Sequence, residues 1–365
     1  MISASALLRD LLRCPSVTPQ DAGAQELLIS HLQALGFKVT RLRFGEIENF
    51  FAEREGAGRH LCFAGHSDVV PPGDGWQHAP FAAEEQNGMI YGRGAVDMKG
   101  GIAAFISAAS YVPGHVSLLI TGDEEGEAVD GTIRVLEWMQ KNAKIPDFCI
   151  VGEPTCRARL GDVVKIGRRG SLNATIHIKG RQGHVAYPHL AENAVHKLLP
   201  LLMALTTKQL DQGSEFFEPS SLQITSVDVG NGATNVIPGD AVARLNIRFN
   251  NLHSGASLHA WLKEAVAQYG PDATLTVKIS GEPFLTPQGN EIAMLVKAVE
   301  TVTGIIPECN TGGGTSDARF ITRYCPVAEF GLLGATMHKV DEAVEVQQLE
   351  QLVEIYKTLI LDFCR

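Results

Sequence analysis

The sequence predicts an α/β protein: a mostly parallel sheet, flanked by helices, is interrupted by an inserted α+β module of ferredoxin-like type. Three observations carry this. Helix-period and strand-like segments alternate through the first half of the chain, which is the rhythm of a parallel sheet with helices on its faces. The rhythm changes near Gly170 to strand, helix, strand, strand, helix, strand, the order of a split βαβ unit. After Glu282-Pro283 the first rhythm returns.

Taken in order, residues 7–14 and 25–35 carry helix periodicity. Residues 61–64 form a short apolar strand, 101–111 an alanine-rich helix, 116–121 a strand, 132–141 a helix and 148–151 a strand. In the inserted segment, 173–179 alternates like a half-exposed strand and 193–210 reads as a long helix. Strands follow at 222–229 and 242–249, then a helix at 258–269 and a strand at 275–279. A helix at 291–302, a strand at 327–333 and a closing helix at 346–363 complete the pattern. The expected domains are therefore 1–170 with 283–365, and the inserted 171–282.

A chain of 365 residues favours two domains over one or three. With 45% hydrophobic and 20% charged residues it has the composition of a soluble globular protein. No apolar run approaches a bilayer span, and the start of the chain lacks the basic and apolar regions of an export signal. The seven cysteines are odd in number, scattered and without a Cys-x-x-Cys pair. They read as reduced thiols of a cytoplasmic protein, not as a disulfide frame or a thiolate metal site. A net charge of −10 argues against a nucleic-acid partner, while local arginines can still reverse the field within one pocket.

Five residues stand just after apolar strands or at a helix start: His66, Asp97, Glu125, Glu153 and His338. In an open α/β sheet the ligand crevice lies at the carboxyl ends of the strands, so these side chains could converge there. Histidine with Asp and Glu and without Cys suits zinc, cobalt or manganese. Each has an ordinary alternative: Asp97 as a helix N-cap, Glu125 in a solvated loop, Glu153-Pro154 as a plain turn. Their shared placement, each beside Gly or Pro turn chemistry, favours the metal reading.

The segments Gly65-His66-Ser67-Asp68, Gly92-Arg93-Gly94-Ala95-Val96-Asp97-Met98-Lys99-Gly100-Gly101 and Thr121-Gly122-Asp123-Glu124-Glu125-Gly126 resemble the M20 family of dinuclear metallohydrolases. The resemblance runs from the first helix to the last and includes the inserted module. It implies two divalent metal ions, zinc with cobalt or manganese as alternatives, that activate water and polarise a scissile amide carbonyl. His66 and Glu153 would hold one ion, Glu125 and His338 the other, and Asp97 would bridge them. It further implies a cis peptide at Asp97-Met98. Glu124 would be the general base, and Asp68 would fix the imidazole of His66 from behind.

On the same resemblance, carried by Gly167-Arg168-Arg169-Gly170 and by residues 311–320, the substrate is an acidic N-acylated amino acid bearing several carboxylates. Arg168 and Arg248 would bind those carboxylates with fork geometry. The alternation of 242–249 places Arg248 on the polar face, where a merely solvated arginine would also lie. Tyr187 and Asn235 would hydrogen-bond the substrate, and the loop of Gly313, Thr315 and Ser316 could offer backbone N–H groups. His184 would reach across a homodimer into the partner's site as an oxyanion donor, with Asn235 also acting across the interface; a structural histidine is the competing reading. Another amidohydrolase of the family, a dipeptidase of the family, or a non-catalytic member are the competing functions.

Overall fold

A computed structural model describes all 365 residues. The chain divides into two compact units. One comprises 1–166, 286–310 and 316–365, the other 167–285 with 311–315.

In the first unit an eight-stranded sheet runs, from one edge, Lys38–Phe44, Ile47–Arg54, Val116–Thr121, Leu61–His66, Phe148–Val151, Val327–Glu329, Val163–Lys165, Glu308–Asn310. Its central four strands are mutually parallel, and every residue of those four is buried. Strands covered on both faces read as unbroken apolar runs, which is why the sequence announces them. The outer hairpin Lys38–Phe44/Ile47–Arg54 is antiparallel and was not anticipated. Only Leu42 is buried in its first strand, so that edge carries almost no apolar signal.

Helices Ala4–Leu12, Lys99–Tyr111, Asn290–Thr303 and Val346–Phe363 pack as one connected group, while Ala24–Ala34 and Thr132–Lys141 lie against the hairpin side of the sheet. Helix ends differ from expectation for local reasons. Ser3 accepts a hydrogen bond from the Ala6 N–H and starts the first helix early. The same helix stops at Leu12, short of Cys14-Pro15, because the residue before a proline avoids the α region. The core is anchored by Tyr356, fully buried, whose hydroxyl donates to the Phe330 carbonyl at 2.6 Å. Its ring meets Phe63 and Phe105 edge-on, and those two stack at 4.5 Å; such pairs add about 0.5–1.5 kcal/mol each beyond burial.

The helix expected from 101 begins at Lys99 and so contains Gly100 and Gly101. Glycine costs helix stability, and the reason for accepting that cost is space. A Cβ on Gly101 would stand 2.5 Å from the carbonyl oxygen of Gly152. The helix thus lies directly on the turn that follows Phe148–Val151.

The second unit contains the sheet Ser221–Asp228, Asp240–Phe249, Gly170–Lys179, Ala273–Gly281, antiparallel throughout. With helices Ala194–Thr207 and Gly255–Tyr269 this is the ferredoxin-like arrangement. One face of each helix and the inward residues of the strands form a single buried cluster that includes Leu198, Leu201, Leu245, Ile247 and Leu262. The longer helix ends at Thr207, not 210, as Thr206 and Thr207 hydroxyls donate to the Leu202 and Met203 carbonyls.

At the amino ends of the parallel strands, His60 and His115 stack at 4.1 Å with rings 5° from parallel, and Glu53 accepts from His115. Together with Glu53 these residues could offer three metal ligands, but an ion must lie in the plane of each imidazole it binds. Face-to-face rings do not share a plane, so this group is a packing device. Burial, aided by His115, pushes His60 down from 6.5 to about 4.

Two predictions follow from this packing. Gly101→Ala will lower unfolding stability by about 1–3 kcal/mol in denaturant titration, since the obstruction is backbone. A histidine depressed in the fold adds stability that is present above its unfolded value of 6.5 and lost as pH falls through its folded value near 4. Unfolding free energy measured between pH 7 and 4 will therefore drop, and His60→Gln will remove up to about 3 kcal/mol of that drop.

Candidate metal centre

His66 ends the strand Leu61–His66 and Asp97 lies just before the helix from Lys99. Glu124 and Glu125 follow Val116–Thr121, and Glu153 follows Phe148–Val151. Parallel strands deliver His66, Glu124, Glu125 and Glu153 to one end of the sheet, and Asp97 joins them from the start of its helix. His338 comes from the loop after Gly334–Thr336.

The two oxygens of Asp97 face different imidazoles. Oδ1 lies 3.2 Å from His66 Nε2 and Oδ2 lies 3.1 Å from His338 Nε2. Each imidazole also has its own carboxylate, His66 with Glu153 Oε1 at 3.7 Å and His338 with Glu125 Oε1 at 2.9 Å. Glu124 shares a group with His66 and Glu153, all three ligand atoms lying within 4.8 Å of one another. The Asp97-Met98 peptide is cis.

As side chains alone these groups conflict. Burial pushes Glu153 well above the usual carboxylate range, and the negative charge of Asp97 adds to the effect. Burial holds Glu124 up at about 8, with Asp317, Glu125 and Asp97 pushing the same way. Burial would lower His66, yet the hydrogen bond with Asp97 and the charges of Glu153 and Asp68 hold it above its ordinary value. Hydrogen bonds with Asp97 and Glu125 raise His338 to about 10. Such a pocket favours positive charge, and divalent cations fit it in donor type, in number and in charge.

The backbone settles which nitrogen of His66 faces the carboxylates. Nδ1 lies 2.9 Å from the carbonyl oxygen of Asp68, which can only accept, so Nδ1 donates and Nε2 is left for a cation. The carboxylate of Asp68 stands 3.7 Å away, beyond hydrogen-bond reach. Asp68 thus holds the ring through its main chain, while the charge of its carboxylate helps to raise the imidazole. Its carboxylate instead accepts from Thr18 Oγ1 at 2.6 Å and from the N–H groups of Glu124 and Glu125. It shapes the turn that presents those two glutamates.

One residue absent from the sequence reading belongs here. Glu342 is fully buried and accepts from the N–H groups of Gly94, Val96 and Asp97 and from the Arg93 guanidinium. The only sequence hint is its place four residues after His338, since its partners lie some 250 residues away.

The remaining candidates fall on the second unit, apart from Ser316. His184 pairs with Val236 in a two-residue ladder, and Val185 N–H donates to the Asn235 carbonyl at 3.1 Å. Tyr187 stands with its ring 5.8 Å from that of His184. His184, Tyr187 and Asn235 thus form one exposed group. Arg168 donates to the Gly312 carbonyl at 3.3 Å. Gly313 beside it has φ +105°, and a Cβ there would come within 2.4 Å of Arg168 Nη1, so only glycine fits. Thr315 closes this short loop. Arg248 has a buried Nη1 without a hydrogen-bond partner. Burial and the neighbouring charge of Arg169 lower its guanidinium from the usual value. Ser316, in the first unit, donates its hydroxyl to Glu329 at 2.5 Å, so its side chain is already committed and only its backbone N–H remains to offer.

A protein of Acidiphilium cryptum named succinyl-diaminopimelate desuccinylase is 58% identical over 358 residues, 97% of this chain and 96% of its own. One of the same name from Granulibacter bethesdensis is 59% identical, covering 98% and 97%. Among solved structures, an M20 family metallo-carboxypeptidase of Sulfolobus solfataricus superposes with TM-score 0.80 at 17% identity, covering 99% of both chains. Aminopeptidase PepT from Bacillus cereus does so with TM-score 0.79 at 16% identity, covering 100% and 98%. The model of peptidase family M20/M25/M40 matches residues 62–362, and the chain belongs to that family.

Proposed function

We propose that this chain hydrolyses the amide bond of N-succinyl-LL-2,6-diaminopimelate to succinate and LL-2,6-diaminopimelate, as a cytoplasmic homodimer carrying two zinc ions. The observation that carries the reading is one carboxylate, Asp97, whose two oxygens face two imidazoles at 3.2 and 3.1 Å. The substrate follows the printed names of near full-length relatives. Histidine and carboxylate donors without thiolate support zinc, with cobalt or manganese able to substitute. No helix is long and apolar enough to cross a membrane.

In this reading His66, Glu153 and Asp97 hold one ion, and His338, Glu125 and Asp97 hold the other. Bound there, the ions would polarise the scissile carbonyl and acidify the attacking water. Glu124 lies close to that centre without being needed as a ligand. Its carboxylate takes the proton of the attacking water as the C–O bond forms and returns it to the nitrogen as the C–N bond breaks. Asp68 holds the Glu124–Glu125 turn through two N–H groups, which keeps the base and the ligand in fixed relation.

His184 supplies a hydrogen bond to the developing oxyanion from the partner subunit. Its tautomer supports this role: Nδ1 accepts from the Ala186 N–H at 3.1 Å, so the neutral ring carries its hydrogen on Nε2 and donates there. Asn235 and Tyr187, grouped with it, contact the substrate. Arg168 and Arg248 bind the carboxylates that distinguish a tri-anionic substrate, and the backbone N–H groups of Gly313, Thr315 and Ser316 complete that recognition.

Succinate release from N-succinyl-LL-diaminopimelate, with N-acetylornithine run alongside, tests the reading. The succinyl substrate is expected to turn over preferentially. Glu124→Gln will lower kcat by about 10²–10⁴-fold while retaining two metal equivalents. Preference for the acetyl substrate would remove Arg168 and Arg248 from the specificity argument; turnover of neither would overturn the activity. Mixing the inactive Glu124→Gln and His184→Ala proteins will restore part of the activity, because a mixed dimer rebuilds one complete site. Failure of mixing to restore any would place His184 within its own subunit's chemistry or outside it.

A further inference from the structure

We propose that Glu342, paired with Arg93, is a positioning residue that sets the separation of Asp97 and His338 and with it the affinity for the ion those two residues share. The inference rests on the metal-centre reading above and assigns a role to a residue that touches neither metal nor substrate.

Three segments meet at this ion pair. Glu342 Oε1 accepts from the N–H groups of Val96 and Asp97 at 2.9 and 3.2 Å, and Oε2 accepts from Gly94 N–H at 3.0 Å and Arg93 Nη1 at 2.8 Å. Arg93 also donates to the carbonyls of Lys339 at 3.2 Å and Pro72 at 3.2 Å. Both side chains are buried. The loop bearing Asp97, the loop bearing His338 and the loop after His66 are therefore tied to one carboxylate and one guanidinium. The adjacent Asp341 adds a tie of its own, accepting from the N–H groups of Gln77 and His78.

The backbone shows why the tie is needed. His338 has φ +59° and Asp341 φ +55°, left-handed conformations that side-chain-bearing residues adopt only when their surroundings enforce them. Left to itself the loop would relax and carry the His338 imidazole away from Asp97. A carboxylate is required at 342 because each oxygen must accept from two donors. In Glu342→Gln one oxygen becomes an NH₂ that confronts donors on one side.

Metal binding to chelator-treated protein, measured by calorimetric titration with zinc, tests this directly. Wild type is expected to bind two ions. Glu342→Gln is expected to keep the first within a few-fold and to bind the second about 10–100-fold more weakly. Arg93→Lys, which retains the charge, should show the same ordering. In cobalt-loaded protein the visible spectrum of the Glu342→Gln centre should change, which loss of global stability alone would not produce. Asp211→Asn serves as control, since Asp211 on the second unit likewise accepts the N–H groups of Gly213 and Ser220, and it should leave both affinities unchanged. Two ions bound by Glu342→Gln or Arg93→Lys with wild-type affinity, or an equal loss in Asp211→Asn, would overturn the inference alone. Wild type binding fewer than two ions would overturn the metal-centre reading, and this inference with it.

Discussion

Negative charge gathered in a buried space is the constraint around which the first unit is organised. Asp68, Asp97, Glu153, Asp317 and Glu342 are all buried, and Glu124 and Glu125 stand beside them. A desolvated carboxylate is costly unless hydrogen bonds or cations compensate it. Some of these groups are compensated by the protein: Glu342 by three main-chain N–H groups and a guanidinium, Asp68 by a hydroxyl and two N–H groups. Asp97 is offset only by the imidazoles of His66 and His338, while burial pushes Glu124 and Glu153 upward beside them. The division separates carboxylates held by main-chain donors from those gathered around the two imidazoles.

The same division explains what could be read in the sequence. His66, Glu125 and Glu153 were legible because each ends or follows an apolar strand, and Asp97 because it stands just before a helix. Those are local features, and a parallel sheet collects its strand ends at one place. His338, in a loop well after its strand, was legible through the resemblance. The role of Glu342, and the atom through which Asp68 acts, were not legible. Asp68 is read from the sequence as the residue behind His66, and that its main-chain carbonyl makes the contact is something no sequence pattern shows. Glu342 bonds a loop some 250 residues earlier and is one acidic residue among 41. The hairpin at Lys38–Phe44 escaped because an edge strand need not be apolar.

In the second unit the order of elements sufficed for the fold, while the functional candidates depended on resemblance. The structure adds local reasons that spacing could not give. His184 is held in one tautomer by the Ala186 N–H. Gly313 is glycine because its φ of +105° strains any residue with a side chain. Asn235 meets its neighbour through its main-chain carbonyl, which leaves its amide free of that duty.

The second unit leaves the first at Ile166 and returns at Thr286, and the Thr286 N–H donates to the Ile166 carbonyl at 2.7 Å. The two points of the first unit from which the insertion departs and to which it returns are thus neighbours. Its whole sheet is encoded between those points, whereas the host's central strand Val327–Glu329 and its helix Val346–Phe363 come from the end of the chain. During synthesis the insertion can complete its core while the host still lacks a middle strand. The nascent host therefore presents two open strand edges, on Phe148–Val151 and Val163–Lys165, until that strand arrives between them. The order in which the chain is made thus makes the last-made segment both the middle of the sheet and the carrier of His338.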